Sequence, residues 1–165
     1  MWDQIRQRAE LFDGAAAWVD QRFNLSQTGE REPVNGIYTS GDFFSLLGVP
    51  ALLGQTFTSA DDVPGGGSDG AVAVISYRLW QRRFAGAADI IGATISVERV
   101  PVTIIGVTPP EFFGVEIGKG FEIALPFGAE PLIRGNDSDL AETARSWLTI
   151  LLRLKPGQSS ESASA

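Results

Sequence analysis

The chain has 165 residues, 44% hydrophobic and 20% charged, with a net charge of −7 and neither Cys nor His. That balance supports a folded domain with a sizeable core and excludes intrinsic disorder. The acidic balance argues against nucleic-acid binding and against docking on anionic lipid, and the missing Cys and His remove disulfides, thiolate and imidazole metal sites, and every Ser-His or Cys-His catalytic pair.

Residues 3–12 set Ile5, Ala9 and Phe12 on one helical stripe among charges, which predicts a short helix ended by Gly14. Met1 opens straight into this charged segment, so no secretory leader is expected. Residues 17–25 predict a strand, 26–32 a turn and 34–39 a second strand, together a hairpin or meander. Ser40-Gly41-Asp42 opens a short helix through Phe43, Phe44, Leu46 and Leu47, closed by Gly48. Residues 58–70 read as a flexible loop.

The apolar run 71–75 suits a buried strand, and Ser76 caps a helix carrying Leu79, Trp80, Arg83 and Phe84. Residues 94–97 and 102–107 predict a hairpin joined by the four residues 98–101. Pro109-Pro110 breaks the pattern, 121–127 predicts a strand, 128–145 is polar and partly helical, and 147–154 predicts a last strand. Ser159-Ser160-Glu161 resembles a helix start with no apolar periodicity after it, so the polypeptide is expected to continue. No stretch approaches the roughly twenty apolar residues of a membrane span.

Few of the possible chemical motifs survive their bland readings. Gly65-Gly66-Gly67-Ser68-Asp69-Gly70 matches a dinucleotide fingerprint in spacing, but that motif must follow a strand and open a helix, and here the order is inverted. Residues 114–120 have the wrong glycine spacing for a phosphate loop, with no Ser or Thr after Lys119. Asp61, Asp62 and Asp69, or Asn136 to Asp139 with Glu142, offer oxygen ligands for Ca²⁺ without the full spacing, and solvated loop acids are the simpler reading. Glu111, Glu116 and Glu122 are candidates for an acid–base pair whose separation the sequence does not give. Asn24-Leu25-Ser26 and Asn136-Asp137-Ser138 match a glycosylation acceptor pattern that means nothing without the matching secretory route. Phe43-Phe44 reads as core. Phe112-Phe113 follows two prolines in a loop, where burying both rings is difficult, so one of them is expected to face a partner.

The order of motifs resembles a known family. Ser40-Gly41-Asp42-Phe43-Phe44 with Leu47-Gly48-Val49, Leu53-Gly54-Gln55-Thr56-Phe57, Val72-Ala73-Val74-Ile75-Ser76 with Leu79-Trp80 and Phe84, Ile91-Gly92, Val102 to Val107, Phe112-Phe113-Gly114 and Leu154-Lys155-Pro156-Gly157 are similar, in sequence order, to the MacB-like periplasmic core domain. Ile5-Arg6 and Leu11-Phe12-Asp13-Gly14 resemble the duplicated orphan-permease branch of the MacB/FtsX-like group. Gln55 stands where the family often carries Arg, which removes any expectation of a salt bridge there.

The resemblance implies an α+β, strand-rich fold with a porter-like βαβ lobe and an inserted β-rich lobe: residues 1–40 as the first porter-like segment, 41–145 as the insertion, and 146–165 as the start of a second porter-like segment. It implies a non-catalytic, periplasmic domain of an inner-membrane ABC-type permease, without cofactor or metal. That domain would couple ATP-driven movement of flanking membrane helices to a periplasmic substrate or partner. Its partners would be the other domains of the permease, a separate ATPase and a periplasmic protein, with Phe112 and Phe113 as contact residues. The acidic and aromatic loops keep open a ligand-binding or sensory module, and a carboxylate hydrolase lacks a nucleophile motif.

Overall fold

The computed structural model describes residues 12–26, 29–138 and 148–157. In chain order these form β1 (Gly14–Ser26), β2 (Glu32–Thr39), α1 (Phe43–Leu47), β3 (Leu53–Gly54), β4 (Val72–Ile75), α2 (Tyr77–Phe84), β5 (Thr94–Val97), β6 (Val100–Val107), β7 (Ile123–Pro126), α3 (Glu130–Arg134) and β8 (Thr149–Arg153). This is the strand-rich mixed fold with few helices that the sequence predicts. The helix expected over 3–12 lies outside the described residues except for Phe12. Gly14 opens β1, where an added Cβ would meet the end of the Leu46 side chain of α1.

The strands close on themselves. β1 pairs antiparallel with β2, β2 parallel with β7, β7 antiparallel with β4, β4 parallel with β6, β6 antiparallel with β5, and β5 antiparallel with the end of β1 at Leu25 and Ser26. Six strands thus form a ring with no free edge among them. β3 adds to β6 at Leu53 and Gly54. β8 lies outside the ring, paired with the first five residues of β1 from Gly14↔Arg153 to Trp18↔Thr149. Where β2 leaves β1, Ser40 takes over: its N–H donates to the Ala17 carbonyl at 2.9 Å and its Oγ accepts from the Ala17 N–H at 3.1 Å.

Alternation along each strand sorts the side chains into two cores. Phe23 and Leu25 of β1, Val34 and Tyr38 of β2, Ala73 and Ile75 of β4, Ile95 and Val97 of β5, Ile104 of β6, and Ile123 and Leu125 of β7 fill the ring. Ala16, Trp18, Ile37, Val72, Val74 and Ala124 face outward and are covered by Phe43, Phe44 and Leu46 of α1 with Phe57 and Phe121. β4 and β7 are therefore buried on both faces, which is why they read as unbroken apolar runs.

α2 is set by its first residue. Ser76 Oγ accepts from the Leu79 N–H at 3.1 Å, and Leu79 is fully buried in the ring core. Trp80 Nε1 donates to the Ala87 carbonyl at 2.9 Å, fixing the exit of the helix. Ser76→Ala is expected to lower stability by about 1 kcal/mol in urea unfolding. An unchanged midpoint would show that packing alone positions this helix.

The hairpin of β5 and β6 turns in two residues rather than the four that the sequence predicts. Glu98 and Arg99 both adopt positive φ, at 48° and 75°. Such a tight turn ordinarily carries Asn or Gly, so the sequence holds no signal for it.

Candidate functional site: the loop between β6 and β7

The segment from Thr108 to Glu122 leaves the ring beside the outer core and is fastened at several points. Thr108 is fully buried and its N–H donates to the Ile75 carbonyl at 2.9 Å. Pro109 and Pro110 cannot donate to a ladder, so β6 ends there. Phe112 turns back, its N–H donating to the Pro109 carbonyl at 3.1 Å. Its ring packs edge-on to Phe44 and Phe121, with centroids 6.1 and 5.8 Å away. The loop closes at its neck where the Phe121 N–H meets the Phe113 carbonyl at 3.3 Å.

Above that neck the aromatic pair divides. Phe112 belongs to the outer core, whereas Phe113 is 69% exposed. The sequence argument that one ring faces outward therefore falls on Phe113. Ile117 at the tip is fully exposed and is a second outward apolar residue. Its signal was present in the sequence as one large apolar residue in a glycine-rich stretch with no periodic partner.

The tip is braced by charge. Lys119 Nζ lies 2.7 Å from Glu116 and 3.3 Å from Asp20 of β1. The hydrogen bond it donates to Glu116, and then the one it donates to Asp20, hold this ammonium above its ordinary value, so it is charged at neutral pH. On the other flank, a groove of about 910 Å³ separates Phe113 from Tyr77 and Arg78 at the start of α2 and Arg82 in its last turn. Arg82 bridges Glu32 at 2.5 Å and Glu122 at 2.8 Å, and Arg83 also contacts Glu32.

These ties bear on the other candidates. Glu116 and Glu122 are each held by a cation, and Glu111 is exposed, so the structure does not assemble the three as an acid–base pair. Lys119 spends its charge on carboxylates rather than on a phosphate loop. The glycine run 65–70 leads into β4 rather than into a helix, and it is a tight turn, the Gly70 N–H donating to the Gly67 carbonyl at 3.0 Å.

The loop that contains it is pinned rather than flexible. Asp62 accepts from the Gly41 N–H at 2.9 Å and from the Gly128 N–H at 2.8 Å. The backbones approach so closely that a Cβ on Gly128 would sit 2.2 Å from the Val63 carbonyl. Asp61 accepts from Thr58 N–H at 2.8 Å. Among the described residues no group of three or more Asp or Glu gathers as a metal site. The second acidic run reaches Glu142, outside the described residues.

Comparison with known proteins gives one consistent result. A family model described as "MacB-like periplasmic core domain" matches residues 1–165. The pyoverdine export ATP-binding/permease protein PvdT of Pseudomonas savastanoi pv. phaseolicola (strain 1448A / Race 6) is 32% identical over 88 residues, 53% of this chain and 13% of that protein. The periplasmic region of MacB from Actinobacillus actinomycetemcomitans superposes with a TM-score of 0.65 at 13% identity, covering 98% of this chain and 66% of that one. The extracellular domain of the noncanonic ABC-type transporter YknZ from Gram-positive bacteria gives 0.66 at 16% identity, covering 98% and 73%. A domain of a permease protein from Porphyromonas gingivalis gives 0.65 at 17% identity, covering 97% and 63%. The chain thus spans a small part of the curated relative and about two-thirds of these solved domains.

Proposed function

This chain belongs to the family of MacB-like periplasmic core domains, and from that premise we propose that it is the non-catalytic, force-transmitting part of an ABC-type permease of the MacB/FtsX kind. The family places the domain on the periplasmic side of the membrane. Among the described residues no helix is long and apolar enough to cross it; in this reading flanking helices of the permease provide the membrane attachment. ATP binding and hydrolysis belong to a partner ATPase. The likeness to a pyoverdine export permease supports export as the direction of transport.

The observation that carries this reading is the division of labour in the loop between β6 and β7. Phe112 is locked into the core, the neck is closed, Lys119 ties the tip to β1, and Phe113 and Ile117 project outward. Exposed apolar side chains on a braced loop present a preformed contact that costs little ordering entropy when a partner arrives. A ring of six strands behind the loop moves as one body, so displacement of the flanking segments is delivered at the tip. β8 pairs with the start of β1 outside this ring, which supports reading 146–165 as a porter-like segment alongside the first residues of 1–40; β1 and β2 also pair with strands of 41–145, so the proposed segments share one sheet.

The test is the double substitution Phe113→Asp with Ile117→Asp in the intact permease. Transport is expected to fall at least about tenfold, equivalent to about 1.4 kcal/mol at the contact. ATP hydrolysis by the partner and the unfolding midpoint of the domain should stay unchanged, because neither side chain is buried. Full transport by this variant would remove the loop as the contact.

A further inference from the structure

A separate cavity of about 390 Å³ opens at the end of the ring where β1 meets the turn between β5 and β6. Tyr38 lines it, 1% exposed and edge-on to Phe23 at 5.1 Å. Its hydroxyl is buried and has no hydrogen-bond partner among the described residues. A buried phenol almost always finds one, so this orphan donor beside a cavity marks a place for a ligand atom.

The walls carry the matching charge. Arg22, Arg31, Arg99 and Arg134 line the cavity against the carboxylates of Glu98 and Asp137, an excess of two positive charges (four minus two) in a chain of net charge −7. Glu98 is already engaged: it accepts from the Asn24 N–H at 2.7 Å and from Asn24 Nδ2 at 2.9 Å. Arg134 lies 3.9 Å from Glu130. Arg22, Arg31 and Arg99 take part in no ion pair among the described residues. Moreover, Arg99 is presented by a turn whose two residues both sit at positive φ without a glycine, a strained choice of the kind found where a side chain must be aimed.

We propose that this cavity binds a small, multiply charged oxyanion, gripped by the guanidinium groups of Arg22, Arg31 and Arg99 and by a hydrogen bond from the Tyr38 hydroxyl. Guanidinium forks match carboxylate and phosphate oxygens two at a time. The cavity is at the lower end of the range for small-molecule sites, large enough for a phosphate or a compact polycarboxylate. Burial, followed by the charge of Glu130, pushes the Tyr38 phenol above its ordinary value. Its proton therefore stays in place and available for donation at neutral pH. The site is independent of the loop between β6 and β7, and its test does not depend on transport.

Calorimetric titration of the chain at low salt with inorganic phosphate, with citrate and with vesicles containing phosphatidic acid tests the proposal. Citrate or phosphate is expected to bind with a Kd of about 0.1–1 mM, weakening as salt rises. Arg22→Gln combined with Arg99→Gln should weaken binding at least about tenfold. Tyr38→Phe should weaken it several-fold without lowering the unfolding midpoint, since the lost hydroxyl satisfies nothing in the unliganded fold. Arg78→Gln, outside the cavity, should leave it unchanged. Preference for the vesicles over free anions, lost in the Arg22/Arg99 variant, would support the site with a lipid headgroup as the source. Absence of binding to all three probes overturns the proposal, as does an equal loss in Arg78→Gln.

Discussion

Phe44→Ala should cost about 3–5 kcal/mol of folding free energy, the range for deleting a fully buried aromatic ring. Phe44 is 0% exposed and meets four rings: Phe43 and Phe57 at 5.2 Å, Phe112 at 6.1 Å and Phe121 at 6.4 Å. The cavity left behind would have α1 on one side and the outward face of the ring on the other, and the paired strands of the ring cannot collapse into it without breaking their ladders. The effect should spread beyond stability. Phe112 and Phe121 anchor the two ends of the projecting loop, so amide exchange at Phe121 should accelerate before the ring strands open. Urea unfolding of the domain gives the first quantity and native-state hydrogen exchange the second. A loss under about 1 kcal/mol would mean that the outer core tolerates a hole, contrary to close packing.

Asp62→Ala is the second large expected loss, at about 2–4 kcal/mol. One carboxylate satisfies two backbone N–H groups, at Gly41 before α1 and at Gly128 after β7, and so joins three loops that no strand connects. Removing it orphans both donors in a part-buried setting. Asp62→Asn separates the contributions: its amide keeps one acceptor oxygen but turns an NH₂ toward the other N–H, so about half the loss should remain. Equal stability of the Ala variant and the native chain would show that water replaces both bonds without cost.

Local features of this fold were legible because their causes are local. The capping Ser76 followed by Leu79, Trp80 and Phe84 gives α2, and the unbroken run at β4 signals burial on two faces. The Pro109-Pro110 break correctly implies that Phe112 and Phe113 cannot both be buried. Which of them turns outward depends on Phe44 and Phe121, distant in the chain, so the sequence does not decide it. The ring itself is hidden for the same reason. Its two parallel pairings, β2 with β7 and β4 with β6, join strands separated by long excursions, and no hairpin signal announces them. The turn at Glu98 and Arg99 is two residues shorter than the sequence predicts because neither residue type favours positive φ. Asp61 and Asp62 read as solvated acids or cation ligands, yet their oxygens serve backbone amides. The cavity beside Tyr38 draws on Arg22, Arg31, Arg99 and Arg134, which share no spacing in the chain and meet only because the strands close.

The pairing of β8 with β1 determines how this domain responds to tension. The two strands run antiparallel with Gly14 opposite Arg153, so the segments before β1 and after β8 leave from the same end of the ladder. Pulling those two segments apart loads one hydrogen-bonded pair at a time, like a zipper. Pulling them in the same direction loads no pair and carries the whole ring along. The Arg153 guanidinium, donating to the Leu46 carbonyl at the end of α1, is a rivet at the vulnerable end of that zipper. Under the proposed function, the attachment would therefore act as a directional filter: concerted pulling on both flanks would load no pair of the ladder, whereas splaying them would peel β8 from β1.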